Sequence, residues 1–186
     1  MKIGVVSDTH GRIDTWRKVE NIFAGADLIV HAGDVLYHPP RLGYTDGYDI
    51  PALVEAMNHS PVPIVIAQGN CDSQVYEELL EMPVQSPYAT AYVGDTRILI
   101  NHGHTLTRED MIRLGGYYKT DVFVSGHTHT PVLEKAGSLV LMNPGSPSIP
   151  KIERDGRIIG SVGLITDTHI RILDIDTEEI LFELAR

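Results

Sequence analysis

Aspartate, histidine and asparagine residues recur along the chain in small groups, each directly after a short apolar run. The groups are Asp8-Thr9-His10, Gly33-Asp34, Gly69-Asn70-Cys71-Asp72, His102-Gly103-His104 and Gly126-His127-Thr128-His129. Carboxylate, imidazole and amide groups are side chains that bind divalent metal ions. The residue types therefore indicate metal chemistry at the ends of the apolar runs.

Single groups also have simpler explanations. Asp8 and His10 could cap a helix and hydrogen-bond a loop. His127 and His129 are two residues apart, which in extended backbone places both imidazoles on the same side, as joint metal binding requires. For the similar pair His102 and His104, we prefer His102 as the ligand because it is nearer the strand end. Five groups in succession favour a metal centre over coincidence.

Strand-like runs precede the groups and must position them. β-Branched or aliphatic runs cover 2–7, 28–32, 62–67, 97–101, 122–125 and 139–142. Helical patterns cover 15–24, 51–58, 73–81 and 108–114, with Ser73 and Thr107 as N-cap candidates. A hairpin is expected around 94–96, and further strands from 157 onward. This alternation predicts an α/β protein with a mixed sheet.

The sheet explains how distant residues can share one site. In open α/β sheets, ligands bind in the crevice beyond the carboxyl ends of the strands. Groups that follow five successive strands can therefore meet in space, although they span residues 8 to 129.

Composition narrows the class of protein. The 186 residues are 42% hydrophobic and 22% charged, typical of one soluble domain over residues 1–186. The net charge of −10 and the lack of a Lys/Arg-rich run argue against a broad nucleic-acid-binding surface. No signal segment or membrane span is found, so a cytoplasmic location is expected. Cys71 is the single cysteine, so it is either a small buried hydrophobe or a chemical group.

The ordered set of groups from residue 8 to residue 129 resembles the calcineurin-like metallophosphoesterases, whose motifs come in this order. Stretches 33–38, 69–72 and 143–151 are further similar to the YfcE-like bacterial phosphodiesterase branch of that family. The resemblance implies a mixed-sheet β-sandwich flanked by helices on both sides, a four-layer αββα fold. It also implies hydrolysis of a small phosphodiester substrate by a hydroxide activated at a binuclear metal centre.

The resemblance also implies a ligand set. One metal ion is held by Asp8, His10 and His129, the other by Asn70, His102 and His127, and Asp34 bridges them. The mixed donors without thiolate suit borderline ions, with Mn expected first and Fe, Zn, Ni or Co as alternatives. Octahedral ions would keep open positions for water and substrate oxygens, as a catalytic site requires.

The candidate catalytic residues are Cys71, His104 and His38. Many family members have a histidine where Cys71 stands, and that histidine is proposed to protonate the leaving oxygen. A thiol is a weak hydrogen-bond donor, so we hypothesise that Cys71 forms a small pocket wall and that His104, His38 or a bound water supplies the proton. Arg41 is a weaker candidate for phosphate binding, and His31 is interpreted as a satisfied core histidine.

Two competing functions remain open at this stage. A phosphomonoesterase is the nearest. A missing general acid slows the loss of poor leaving groups, and this applies to monoesters and diesters alike. A non-catalytic scaffold is the other, because a retromer subunit resembles the same fold while lacking part of the ligand set. The complete ligand set here favours an enzyme. A homo-oligomer is among the expectations, but the sequence does not fix the oligomeric state.

Overall fold

The computed structural model describes residues 1–37, 43 and 46–186, in which two β-sheets pack face to face between helices. In chain order the elements are β1 (Lys2–Val6), α1 (Ile13–Ile22), β2 (Leu28–His31), α2 (Ile50–Asn58), β3 (Ile64–Ala67), α3 (Gln74–Glu77), β4 (Val84–Gln85), β5 (Ala89–Val93), β6 (Thr96–Ile100), α4 (Arg108–Tyr117), β7 (Val122–Val124), β8 (Val132–Ala136), β9 (Leu139–Asn143), β10 (Glu153–Arg154), β11 (Arg157–Ile158), β12 (Ser161–Thr166), β13 (His169–Asp174) and β14 (Ile180–Ala185).

Both main sheets are mixed, and each has a parallel part that leads to the ligand-type residues. The first sheet has the order β14-β13-β12-β1-β2-β3-β4, with β1 to β4 parallel and β12 to β14 antiparallel. The second has the order β5-β6-β7-β9-β8, with β6, β7 and β9 parallel. The five groups follow β1, β2, β3, β6 and β7, so each group lies beyond a carboxyl strand end.

Three hydrophobic clusters separate four layers. Alternate residues of one strand enter different clusters: Val6 packs with Trp16 of α1, whereas Val5 lies between the two sheets with Val124. On the far side, Phe123 packs against α4. Burial of both sheet faces explains why the central strands are continuous apolar runs. The predicted four-layer αββα fold is confirmed.

The predicted elements are found with small shifts at their ends, and α3 is the main exception. It covers Gln74–Glu77 instead of 73–81, and the Ser73 side chain makes no capping hydrogen bond. Thr107 does cap α4: its side chain accepts from Asp110 N, and the Asp110 carboxylate accepts from Thr107 N. Among the described residues, no helix combines the length and apolar character needed to cross a bilayer.

Candidate metal centre

The five groups meet at one edge of the sandwich, around the carboxylate of Asp8. Its Oδ1 lies 3.2 Å from His129 Nε2, 3.7 Å from His10 Nε2 and 4.0 Å from His102 Nε2. Asp34 joins from the neighbouring strand, with its Oδ2 3.3 Å from His102 Nε2. All of these side chains are buried. The first sheet supplies the carboxylates, and the second supplies His102 and His129.

Backbone carbonyls fix the protonation of three of the rings. The Nδ1 atoms of His10, His129 and His102 lie 2.6, 2.6 and 2.8 Å from the carbonyl oxygens of Tyr37, Ile149 and Ala32, in that order. A carbonyl can only accept, so each Nδ1 carries the proton and each Nε2 of a neutral ring has a free lone pair. Metal-binding imidazoles usually donate their other ring N–H to a carbonyl or carboxylate in this way, and the hydrogen bond orients the ring.

The Nε2 atoms of His10 and His129 are 3.2 Å apart, so two lone pairs face each other when both rings are neutral. Asp8 Oδ1 is buried beside them and has no hydrogen-bond partner among the described residues. Buried acceptors without donors are costly, and native structures rarely leave them so. A cation between these three atoms would satisfy all of them, so the residues present fit a metal ion.

A second set of acceptors surrounds His102. Its Nε2 lies 3.0 Å from Asn70 Oδ1 and close to Asp34 Oδ2, so a proton or a cation must lie between them. Burial lowers the pKa of His102, but the carboxylates of Asp34 and Asp8 outweigh burial and raise it overall. Burial raises the pKa of Asp34, but the hydrogen bond and charge of His102 reverse this and hold it well below its usual range. Asn70 Oδ1, Asp34 Oδ2 and His102 Nε2 thus surround one position that suits a proton or a cation.

The described residues form two compact donor groups, in each of which the ligand atoms lie within 4.8 Å of one another. Asp8, His10 and His129 make the first group, which corresponds to the set expected for one ion. Asp8, Asp34 and His102 make the second. Asp8 therefore belongs to both groups, whereas the family resemblance implies Asp34 as the residue shared by the two ions.

His127 lies outside both groups and is exposed. Its ring centroid is 5.2 Å from that of His102, and its backbone N donates to Asp8 Oδ2 at 3.0 Å. The extended backbone expected across His127 and His129 is wrong, since their φ angles are 67° and 59°. The two rings consequently face different partners: His129 is next to His10, and His127 is next to His102.

Backbone strain concentrates at the same residues. Eight described non-glycine residues have positive φ, and five of them are predicted ligands: Asp8, His10, Asp34, His127 and His129. Such residues are uncommon, cost free energy and cluster at functional sites. The turns after the strands are thus held in unfavourable conformations that aim these side chains.

Comparison with known proteins identifies the family. The calcineurin-like phosphoesterase superfamily domain matches residues 1–159. The chain belongs to the calcineurin-like phosphoesterase superfamily. Over 187 residues it is 34% identical to phosphodiesterase YfcE of Escherichia coli K12, covering 100% of this chain and 98% of YfcE. It is also 30% identical over 193 residues to a probable metallophosphoesterase of Methanothermobacter thermautotrophicus, covering 100% and 92% of the two chains.

Solved structures agree with this assignment. The structure of E. coli YfcE, described as a phosphoesterase, matches with a TM-score of 0.82 and 32% identity, covering 100% of this chain and 99% of YfcE. Zinc-bound Vps29 of Entamoeba histolytica matches with a TM-score of 0.65 and 16% identity, covering 100% and 99%, which shows a shared fold alone. The chain is therefore a phosphoesterase from a superfamily that uses divalent metal ions.

Two of the three candidate catalytic residues of this phosphoesterase lie beside the donor groups. Cys71 is half-buried, and its backbone N donates to Asp34 Oδ1 at 2.8 Å. Burial, followed by the charge of Asp34, raises the pKa of the Cys71 thiol to about 12. His104 is exposed, with its ring 5.5 Å from that of His102, and partial burial followed by the charge of His102 lowers its pKa. His38 and Arg41 lie outside the described residues.

Sequence reasoning missed three residues that hold the turns of this phosphoesterase. The buried Asp72 carboxylate accepts from the backbone N of Asp34, Val35 and Gly69, each at 2.8 Å. Ser146 Oγ donates to Asp8 O at 2.8 Å, and Asn143 Nδ2 donates to Gly126 O at 2.7 Å. Asp72, Asn143 and Ser146 all belong to the stretches that carried the family resemblance, which was the available signal. Their partners are remote backbone atoms that only the fold reveals.

Proposed function

We propose that this phosphoesterase hydrolyses a small phosphodiester at a centre of two divalent metal ions, with manganese as the first candidate. Asp8, His10 and His129 would hold one ion, and Asn70, His102 and His127 the other. Asp34 would bridge the two ions. The position of Asp8 between both donor groups supports a second contact from Asp8 as well.

One observation supports the metal centre above all: Asp8 Oδ1 and the Nε2 atoms of His10 and His129 converge without a donor among the described residues. A structural histidine cluster would pair its nitrogens with donors or water-exposed surface. Here the ring protons are committed to carbonyls on the far side. Diester hydrolysis is supported by YfcE, a relative that is named a phosphodiesterase.

When bound, two divalent ions would supply positive charge that attracts a phosphate ester and lowers the pKa of water near them. The protein's part is orientation: the carbonyls of Tyr37, Ile149 and Ala32 hold the three rings with their lone pairs inward. Cys71 would serve as a compact wall, because it is half-buried and a thiol is a weak hydrogen-bond donor. His104 would face the departing oxygen at the mouth of the site and exchange protons with solvent there.

The competing functions receive less support. The Vps29 structures resemble the chain at a level that shows only the fold, so they do not favour a scaffold role. Monoester hydrolysis would use the same donor groups, and Cys71 does not discriminate against it. The cytoplasmic location, a homo-oligomer and one domain over residues 1–186 stay predictions.

The test is one assay of metal-stripped protein against nitrophenyl monoesters and diesters, with single divalent ions restored. We expect hydrolysis to return with Mn and to be faster for the diester. Faster monoester cleavage would replace the diester proposal. No hydrolysis with Mn, Fe, Zn, Ni or Co, together with no change in unfolding on metal addition, would contradict the metal centre itself.

A further inference from the structure

A histidine that the site does not use for metal contact lies directly beneath it. His31 is the last residue of β2 and is fully buried, and burial lowers its pKa to about 3, so the ring is neutral. Every other residue of this strand is aliphatic. A neutral imidazole in such a position carries two polar atoms that an aliphatic side chain would not, and each must find a partner.

Both ring nitrogens of His31 have partners, and these partners determine its tautomer. The backbone N of Gly33 donates to His31 Nδ1 at 3.1 Å, so Nδ1 is the acceptor and Nε2 carries the proton. Nε2 then donates to Thr9 Oγ1 at 3.0 Å. Thr9 Oγ1 in turn donates to the carbonyl oxygen of Val35 at 2.8 Å. The result is a chain of three hydrogen bonds that runs from Gly33 N through His31 and Thr9 to Val35 O.

This chain joins the two turns that carry both carboxylates. Thr9 lies between Asp8 and His10, whose φ angles are 57° and 46°. Gly33 and Val35 flank Asp34, whose φ angle is 57°. Three backbone bonds join the same turns, from Asp8 N to Gly33 O, from His10 N to Asp34 O and from Gly11 N to Val35 O. These backbone bonds fix the spacing of the turns, whereas the His31 chain adds the only side-chain link from Thr9 that the described residues show.

We propose that His31 and Thr9 act as a positioning pair that holds Asp8, His10 and Asp34 in the geometry needed to bind metal. The inference rests on the proposed metal centre. An isosteric change that removes only the Thr9 hydroxyl leaves the buried His31 Nε2–H without an acceptor, and it removes one of the two hydrogen bonds to the Val35 carbonyl, which keeps only the bond from Gly11 N. The Asp8–His10 turn then loses its side-chain link to the turn that carries Asp34. Loss of supporting hydrogen bonds around metal ligands typically weakens metal affinity by about 10–100-fold.

The experiment compares Thr9→Val with Thr9→Ser, which keeps the hydroxyl. The dissociation constant for Mn²⁺ is measured by calorimetry on metal-stripped protein, and urea unfolding in EDTA gives the stability of each metal-free variant. Thr96→Val is the matched control, because Thr96 is a buried threonine at the opposite end of β6 from the site. We expect Thr9→Val to bind Mn²⁺ at least about tenfold more weakly, with Thr9→Ser and Thr96→Val within about threefold of the wild type.

A second comparison tests whether the two residues act as one unit. His31→Leu should weaken Mn²⁺ binding by a similar factor, and the double variant with Thr9→Val should be little worse than either single variant. Mn²⁺ affinity that is unchanged in Thr9→Val, whatever its unfolding free energy, would assign the pair a purely structural role and overturn the inference alone. A wild-type protein that binds no Mn²⁺ would overturn both the inference and the proposed function.

Discussion

Replacing Asp8 with asparagine is expected to stabilise the metal-free protein. In Asp8→Asn, the amide Nδ2 takes the place of Oδ1 and can donate to His129 Nε2, 3.2 Å away. The amide oxygen can still accept from His127 N, as Oδ2 does at 3.0 Å. An unpaired buried polar group costs about 1–3 kcal/mol. We therefore expect the free energy of unfolding without metal to rise by about 1–3 kcal/mol.

With metal the order should reverse. A ligand at a thousand times its dissociation constant stabilises the folded protein that binds it by about 4 kcal/mol. The wild type should gain this amount, whereas Asp8→Asn has lost the carboxylate that lies in both donor groups and should gain little. The same substitution thus stabilises one state of the protein and destabilises the other.

Urea unfolding at pH 8, in EDTA and in excess Mn²⁺, measures both effects. At this pH the His10 ring is neutral, because burial lowers its pKa, so it offers Asp8 no positive charge. Asp95→Asn, in the exposed turn between β5 and β6, controls for the loss of one negative charge. An Asp8→Asn protein that unfolds at lower urea than the wild type in EDTA would refute the unpaired oxygen. An unchanged Mn²⁺ response would refute the assignment of Asp8 as a ligand.

Three further predictions concern Cys71, Gly126 and Thr107. Cys71→Ala should lower kcat for a diester by less than about tenfold, which corresponds to about 1.4 kcal/mol. A larger loss in this variant would show that the thiol takes a direct part in the reaction. Cys71→His should speed the hydrolysis of esters with poor leaving groups. Gly126→Ala should weaken Mn²⁺ binding at least about tenfold, because its Cβ would overlap Ser7 Oγ and lie 2.9 Å from Asp8 Oδ2. Its control, Gly116→Ala in α4, meets no atom within 4 Å and should raise stability by about 0.5–1 kcal/mol in urea unfolding. Thr107→Ala should cost about 1 kcal/mol of unfolding free energy with Mn²⁺ affinity unchanged, and an equal stability would show that the capping box is not needed.

Much of the fold could be predicted from the sequence, because the central strands are buried on both faces. Such strands are continuous apolar runs, and each ends at a glycine or a polar group that is visible in the sequence. β8 was missed for the opposite reason: it is an edge strand, and residues such as Glu134 and Lys135 interrupt its apolar character. The helix predicted over 73–81 is shortened to Gln74–Glu77, because the Ser73 side chain does not cap it and none of its residues is buried.

The candidate site was predictable in composition but not in geometry. The residue types and their order indicated which side chains would meet, and the structure brings most of them together. The conformations of His127 and His129 could not be foreseen, since left-handed backbone at non-glycine residues is set by surrounding contacts rather than by local preference. The structural role of Asp72 could not be foreseen for a related reason, because its three partners are backbone N–H groups, two of them from another strand end.

The donor groups draw on both sheets, so the packing between the sheets sets the geometry of the site. Asp8 and Asp34 follow strands of the first sheet, while His102 and His129 follow strands of the second. Sliding one sheet over the other would change every distance between these pairs at once. Substitutions at Val5 or Val124, which pack between the sheets, would therefore change the spacing of the donor atoms without touching any of them.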